Sequence, residues 1–163
     1  MLKRILITGT LLSSFVAQGV MASDKLIIGP TAVLSVAESG ISYDARIDTG
    51  AKETSIHAYG LSIDNESQDK SKNVGKTIHF TSENEKGQRV KMKGTIVKTS
   101  SVRNSQGTET RYMIELSVGR KGEEQKMLVN LRDRTHMSYK LLIGRDWLQG
   151  RYLVDVDLPA EKH

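Results

Sequence analysis

Residues 45–52 read ARIDTGAK, a short apolar strand that runs directly into an acidic turn. The strand is Ala45–Ile47, and the turn is the triplet Asp48-Thr49-Gly50. The triplet alone is a weak signal, because aspartate and glycine are frequent in ordinary turns. Its meaning therefore depends on what the rest of the chain carries.

A second motif lies late in the chain. Residues 141–148 read LLIGRDWL, which is an apolar strand, a glycine and the start of a short helix. An early strand followed by Asp-Thr-Gly-Ala, with a late apolar-Ile-Gly-Arg segment, resembles the pair of motifs found in retroviral-type aspartic proteases.

Three further segments narrow this resemblance. Residues 54–58 read TSIHA, residues 130–137 read NLRDRTHM and residues 150–156 read GRYLVDV. From about Ile27 to Val156 the chain resembles the bacterial retropepsin-like aspartic peptidase family often labelled "putative ATP-dependent zinc protease". The resemblance implies a mainly β fold, namely a retropepsin-like (acid protease) closed β-barrel with one short C-terminal helix.

The resemblance also implies that Asp48, Thr49 and Gly50 are catalytic. Peptide hydrolysis by water needs a base for the water and an acid for the carbonyl oxygen, and two carboxyl groups about 3 Å apart supply both by sharing one proton. Thr49 would brace the two loops through its hydroxyl, and Gly50 would let the backbone approach without a Cβ. The chain has no second Asp-Thr/Ser-Gly. A homodimer is therefore expected, with interface strands near residues 26–28 and 153–156 by analogy with the retroviral relatives.

The substrate-binding residues expected from the sequence are Ala51, Lys52, Arg46 and Arg145. Lys52 stands where retroviral enzymes usually carry an acidic residue that pairs with the late arginine, so Arg145 is expected to pair with Glu53, or Lys52 with Asp146. These cations, with Arg132 and Arg134, favour a peptide or protein substrate that carries carboxylates. The alternative is that most of them form ordinary surface ion pairs.

Neither word of the family label finds support in the residues. No His-Glu-x-x-His pair and no Gly-x-x-x-x-Gly-Lys-Ser/Thr phosphate loop occurs, and the four histidines lie far apart in sequence. No metal and no cofactor is therefore expected. The chain has no cysteine, which excludes a thiol nucleophile, disulfides and cysteine-ligated zinc.

Length and patterning indicate one globular domain. The 163 residues suffice for a single core, and short strands alternate with Gly, Asn and Ser turns. The helix is expected at Arg145–Gln149, and a surface loop at Asn65–Gly75. In addition to residues 141–143, strands are expected at Ala32–Val36, Ser42–Ile47, Ile56–Ile63, Thr77–Thr81, Val90–Thr99, Thr110–Val118, Met127–Leu131 and Tyr152–Val156.

The first 22 residues read as a signal peptide, with Lys3 and Arg4 before an interrupted apolar run that ends near Ala22. The alternative is an uncleaved anchor. Cleavage leaves a domain of residues 23–163 in the periplasm, and the net charge falls from +5 to +3. This mild excess and an aromatic content of 5% do not favour nucleic-acid binding.

A peptide held over a carboxylate dyad needs a covering flap. The turn within Ser82–Gln88 is the first candidate, and Asn104–Gly107 competes with it. The chief alternative to an enzyme is a non-catalytic binding or signalling module that keeps the fold and holds a peptide or a membrane-protein partner. The family resemblance also suggests association with glutamate-adding ligases of the ATP-grasp kind.

Overall fold

A computed structural model describes residues 24–104 and 107–162, so the expected signal peptide at 1–22 lies outside the described residues. Short β-strands dominate these ranges. One short helix, α1, covers Arg145–Leu148, and a single 3-10 turn covers Lys70–Asn73 within the expected surface loop. The strands are β1 Leu26–Ile28, β2 Thr31–Val36, β3 Ile41–Ile47, β4 Ser55–His57, β5 Tyr59–Ile63, β6 Thr77–Glu83, β7 Arg89–Thr95, β8 Lys98–Asn104, β9 Gly107–Gly119, β10 Gln125–Arg132, β11 Leu141–Ile143 and β12 Tyr152–Val154.

Six strands form a closed ring in the order β3-β2-β9-β10-β4-β11, because β9 pairs with both β2 and β10 and β11 pairs with both β3 and β4. Most of the pairings are antiparallel, while β3–β11, β4–β10 and β1–β12 are parallel. Alternate residues point into the ring and are fully buried, as in Leu34, Ile56, Leu116 and Leu141. The architecture confirms the expected mainly β, retropepsin-like class with one short C-terminal helix.

The centre of the fold is the meeting of β3, β11 and β4. Strand β11 runs parallel to β3, with Ile143 opposite Ile47, and antiparallel to β4, with Leu141 opposite Ile56. The next residue after β3 continues this register, because the Asp48 amide donates to the Ile143 carbonyl at 2.9 Å. The two sequence motifs are therefore neighbours in space, as the sequence predicts.

Strands β5, β6 and β7 form a second sheet beside the ring. Ile78, Phe80 and Met92 from this sheet are buried in the same core as the ring. The expected strand Ile56–Ile63 is wrong as a single element, because the chain leaves the ring at Ala58 and enters this sheet as β5. The expected strand Val90–Thr99 is also two elements. The Ile96 amide donates to the Lys76 carbonyl next to β6, whereas the Val97 amide donates to the Met113 carbonyl of β9 in the ring.

The turn after β6 is the first flap candidate, but in the structure it does not cover Asp48. The Glu85 carboxylate accepts from the Asp44 and Lys140 amides, and the Asn84 side chain donates to the Ser42 carbonyl. These contacts tie the turn to the first half of β3, whereas Asp48 lies four residues beyond Asp44, or about 13 Å along an extended strand. The choice of 82–88 as flap is wrong. The competing candidate, Asn104–Gly107, includes residues 105–106, which lie outside the described residues; the strands on either side of it, β8 and β9, adjoin the segment that follows Asp48.

Within the described part of the chain, no helix has both the length and the apolar character needed to cross a membrane.

Candidate functional site

Asp48 is half-buried at the end of β3, and its backbone turns sharply after it. One carboxylate oxygen, Oδ1, accepts from the Gly50 amide at 2.9 Å and from the Ala51 amide at 3.2 Å. The other oxygen, Oδ2, accepts no hydrogen bond from residues 24–104 or 107–162. The loop therefore fixes the direction of the carboxylate and leaves one oxygen free for chemistry.

Gly50 suits this geometry. A Cβ on Gly50 would lie 3.1 Å from Asp48 Oδ1, tighter than ordinary contact, where the amide now donates. Thr49 and Gly50 are both exposed, and the Thr49 hydroxyl makes no hydrogen bond within the described ranges. The tip of the Asp-Thr-Gly loop thus faces outward from a single chain.

Hydrogen bonds from the start of α1 stabilise the Asp-Thr-Gly loop. The Arg145 amide donates to the Ala51 carbonyl at 2.9 Å, and the Arg145 side chain donates from Nη1 to the carbonyls of Thr49 and Gly50 at 3.0 Å each. Gly144 permits this contact, because a Cβ there would lie 2.7 Å from the backbone of Glu53. Arg145 therefore braces the Asp-Thr-Gly loop, and its expected role in substrate binding stays a prediction.

Both expected ion pairs of this region are wrong. Asp146 accepts from the Thr54 amide and, at 2.7 Å, from the Thr54 hydroxyl, so it does not pair with Lys52. Glu53 accepts from Ser100 and Asn130 at 2.7 Å each and lies 3.9 Å from Lys98. Burial acts to raise the pKa of Glu53, but these hydrogen bonds and the nearby lysines outweigh it and hold the pKa below its usual value.

A cleft of about 370 Å³ opens beside the loop, between residues 51–53 and the β8–β9 hairpin. Ala51 and Lys52, two of the four expected substrate-binding residues, line it. Arg46 does not line this cleft: it is exposed on β3, and its side chain makes no hydrogen bond or ion pair with the described residues. Arg111 of β9 also lines the cleft, and no motif or spacing in the sequence marks it.

The side chain of Arg134 lies within electrostatic range of two other arginines and of Asp48. Arg134 is buried, and its Nη1 donates to the Ser55 hydroxyl at 3.1 Å while its Nε donates to the Tyr139 carbonyl at 2.9 Å. Burial, with the like charges of Arg132 and Arg111, lowers the pKa of Arg134 to about 10, and Asp48 acts in the opposite direction. Arg134 is therefore a buried arginine within electrostatic range of Asp48 and of Glu85.

His57 is held by hydrogen bonding near the core. Its Nδ1 accepts from the Arg134 amide at 2.9 Å, and its ring stacks on Tyr59 with centroids 5.2 Å apart. Burial is the largest cause of a lowered pKa, and Lys140 adds to it. No group of three or more His, Cys, Asp or Glu side chains in the described ranges is arranged to hold a metal ion.

Comparisons with known proteins agree with this geometry. A family model described as "RimB-like: Retropepsin-like aspartic endopeptidase RimB" matches residues 27–160. A protein of Parasynechococcus marenigrum (strain WH8102) named "Probable alpha-L-glutamate ligase" is 30% identical over 133 residues, which make up 80% of this chain and 28% of that protein. A second protein of that name, from Desulfotalea psychrophila (strain LSv54 / DSM 12343), is 29% identical over 133 residues, again 28% of its length. The chain thus spans little more than a quarter of these curated relatives.

One similar solved structure is the protein Lpg0085 of unknown function from Legionella pneumophila subsp. pneumophila. Its TM-score is 0.65 at 24% identity, and the alignment covers 83% of this chain and 96% of that one. This likeness supports the fold.

Proposed function

The chain belongs to the RimB-like family of retropepsin-like aspartic endopeptidases, and we propose that it is an exported endopeptidase whose catalytic carboxylate is Asp48. The observation that carries the proposal is the hydrogen bonding of the Asp48 carboxylate. Two backbone amides hold Oδ1, and Oδ2 is free of partners from the described residues. The loop tip that carries it is exposed.

A single carboxylate cannot complete the proposed reaction. Water attack on a peptide carbonyl requires one group to take a proton from the water and another to give a proton to the carbonyl oxygen. Two aspartates about 3 Å apart do this with one shared proton, and they titrate as a pair. We infer that a second copy of the chain supplies the second Asp48 across a two-fold axis.

The surface beside the loop is suited to such pairing. Leu26, Ile27 and Leu153 on the paired strands β1 and β12 are 61%, 63% and 55% exposed. A shallow cleft of about 350 Å³ links this strand pair to Thr49 and Arg145. An exposed apolar area that borders an incomplete site is typical of an interface between subunits. The exposed Thr49 would then meet its counterpart, as the family resemblance implies.

The proposed substrate is a peptide or amide chain that carries carboxylates. Arg132 and Arg111 lie close enough to Arg134 to affect it electrostatically, and so does Asp48. The relatives that share this domain are named as glutamate ligases, so their own chemistry concerns an acidic amino acid. The proposed periplasmic location rests on residues 1–22, and the proposal needs no metal and no cofactor.

Peptide cleavage by the parent chain and by Asp48→Asn tests the proposal. The substitution keeps the shape of the side chain and removes the titrating proton, so hydrolysis should fall below detection while the melting temperature changes little. Asp64→Asn is the matched control, because Asp64 is an exposed aspartate that contacts His79 far along the chain from the loop. Equal cleavage by Asp48→Asn and the parent would refute the assignment. Peptide binding by a parent chain that never cleaves would instead favour the non-catalytic binding module.

A further inference from the structure

His57 joins two sequence motifs that the proposed catalytic loop does not use. Residues 54–58 include strand β4, and residues 130–137 run from β10 into the connection before β11. His57 on β4 is only 2% exposed, and its Nδ1 accepts from the Arg134 amide at 2.9 Å. A ring nitrogen of histidine accepts a hydrogen bond only while it carries no proton. This contact between the two motifs therefore requires neutral His57.

The Arg134 amide belongs to the 133–140 segment, which connects β10 with β11. The Lys140 ammonium group closes this segment by donating to three of its carbonyls at 2.8–3.1 Å. The Arg134 side chain adds two hydrogen bonds, one to the Tyr139 carbonyl within the segment and one to the Ser55 hydroxyl of β4. The segment is therefore a compact turn, and His57 and Ser55 fasten it to β4.

The 133–140 segment continues directly into β11, beside the proposed catalytic loop. Strand β11 starts at Leu141, and its last residue, Ile143, accepts from the Asp48 amide at 2.9 Å through its carbonyl. A change in how the segment is fastened to β4 therefore occurs within a few residues of the strand that holds Asp48.

Asp133 offers a protonated His57 ring a second partner. Its Oδ1 lies 3.7 Å from His57 Nδ1, which is too far for a hydrogen bond but close enough for an ion pair. In the neutral state this oxygen accepts from the amide and the hydroxyl of Thr135. The carboxylate is therefore already in place beside the nitrogen that would take the proton.

Other charged or titratable groups surround the ring and set the pH at which it takes a proton. Burial, with the positive charge of Lys140, lowers the pKa of His57, while Asp133 and Glu83 act in the opposite direction. The ring therefore stays neutral at pH 7.5 and takes its proton in acid. The groups that face it, besides Asp133, are Arg134 and Lys140 of the segment, Arg132 of β10, Tyr59 of β5, Glu83 of β6 and Arg89 of β7.

We propose that His57 is a pH-responsive positioning residue, which fastens the 133–140 segment to β4 at neutral pH and releases it in acid. When Nδ1 takes a proton from the solvent, it becomes a donor that faces a second donor, the Arg134 amide, and their hydrogen bond is lost. The protonated ring then pairs with the Asp133 carboxylate. This switch needs no catalytic step, so it stands whether or not Asp48 hydrolyses a peptide.

Amide hydrogen exchange of the full chain at pH 7.5 and pH 5.0 tests the switch. Mass spectrometry of peptides that cover the 133–140 segment gives its protection, once the intrinsic exchange rate at each pH is divided out. Loss of one hydrogen bond predicts that this protection falls roughly fivefold from pH 7.5 to pH 5.0. Residues 120–124, the turn between β9 and β10, serve as the reference within the same chain. Their protection should change by less than about twofold, because they open without disturbing His57.

His57→Asn removes the titration and keeps the acceptor. The side-chain oxygen of asparagine can accept from the Arg134 amide at both pH values, so the protection of the segment should differ by less than about twofold between them. His79→Asn is the matched control, because His79 is about half exposed and contacts Asp64 at the surface. This variant should keep the parent's loss of protection in the 133–140 segment. Thermal melting shows whether each variant is folded.

Asp133→Asn tests the second partner of the ring. The Asp133 side chain is 66% exposed, so this variant should fold even if a change at the buried His57 does not. Removing the carboxylate makes protonation of His57 less favourable. In a pH series, the segment of Asp133→Asn should therefore lose its protection at a lower pH than the segment of the parent.

The outcomes separate a switch at His57 from a general loss of stability in acid. Protection of the 133–140 segment that stays constant in the parent, or that falls equally in His57→Asn, would overturn the switch. A fall that residues 120–124 share would overturn it too, because the loss would then not start at His57. A fall in the segment alone, absent in His57→Asn and moved to lower pH in Asp133→Asn, is the result that supports it.

Discussion

At the residue scale, Asp48 shows what a short motif can and cannot predict. The triplet and the late glycine segment correctly place Asp48 at a strand end beside Ile143, because both follow from local patterning. Partners of charged side chains do not follow from local patterning, and the expected pairs of Arg145 and Asp146 were wrong. Arg111 carried no signal at all, since it is one polar residue in an otherwise ordinary strand whose neighbours are set by the three-dimensional fold.

His57 gives a prediction about pH. Burial lowers its pKa in the folded chain below the ordinary value of 6.5, so the unfolded chain binds the proton more readily. The free energy of unfolding should therefore be highest above about pH 6.5 and decrease as the pH falls below it. Denaturant titrations at pH 7.5 and 5.5 should show this loss in the parent chain and a smaller loss in His57→Asn, whose Oδ1 can still accept from the Arg134 amide.

His79→Asn is the control for this titration, because His79 is about half exposed and contacts Asp64 at the surface. The same two denaturant titrations on His79→Asn show what the loss of an exposed histidine does by itself. Carboxylates whose pKa is lowered in the fold, such as Glu53, lose their contribution to the free energy of unfolding only at lower pH, so they do not affect this comparison. Identical pH dependence in His57→Asn and the parent would show that His57 is not the titrating group.

At the element scale, strands were easier to predict than the sheets they join. Alternating apolar residues identify most strands, but they do not show that the chain leaves the ring at Ala58 or crosses back at Ile96 and Val97. Residues on both sides of these points are suited to extended backbone, so no propensity marks the change of sheet. The separate layer of β5, β6 and β7 was missed for this reason, and with it the true position of the turn at 84–88.

Gly144 gives a prediction at the same scale, because it sets how closely α1 approaches the segment after Asp48. A Cβ on Gly144 would lie within 2.7–2.9 Å of three backbone atoms of Glu53, which cannot move aside as a side chain would. Gly144→Ala should lower the free energy of unfolding by about 2–3 kcal/mol through overpacking. Denaturant unfolding measures this, and peptide hydrolysis should fall with it as the catalytic loop shifts.

Gly122→Ala is the matched control for the clash. Gly122 has a φ of +89° and open space around its missing Cβ, so alanine there meets only backbone strain of about 1 kcal/mol. A loss at Gly144 no larger than the loss at Gly122 would contradict the close packing of α1 on residues 51–54.

At the scale of the whole molecule, a closed ring carries the Asp-Thr-Gly loop at one edge. The ring buries its own core, while strands β1 and β12 expose apolar side chains next to the Asp-Thr-Gly loop. The sequence correctly predicted the mainly β class of this molecule. The homodimer and its interface strands come from the family resemblance, and they stay predictions.

Leu153→Glu tests the proposed interface. Leu153 is 55% exposed on β12, so a glutamate there costs the single chain little but places two like charges at a two-fold contact. We expect a folded monomer in sedimentation velocity and no hydrolysis. Leu61→Glu is the control, because Leu61 is 42% exposed on β5 and should leave both pairing and activity intact. A dimer that persists in Leu153→Glu would place the interface elsewhere.

The most direct measurement of the central claim is hydrolysis by mixed chains. A constant amount of the parent chain is mixed with increasing Asp48→Asn, the subunits are allowed to exchange, and the rate per parent chain is recorded. If each site takes one Asp48 from each of two chains, about a ninefold excess of Asp48→Asn should lower the rate per parent chain about tenfold through random pairing. A rate per parent chain that stays constant at every ratio would contradict a site shared between two chains.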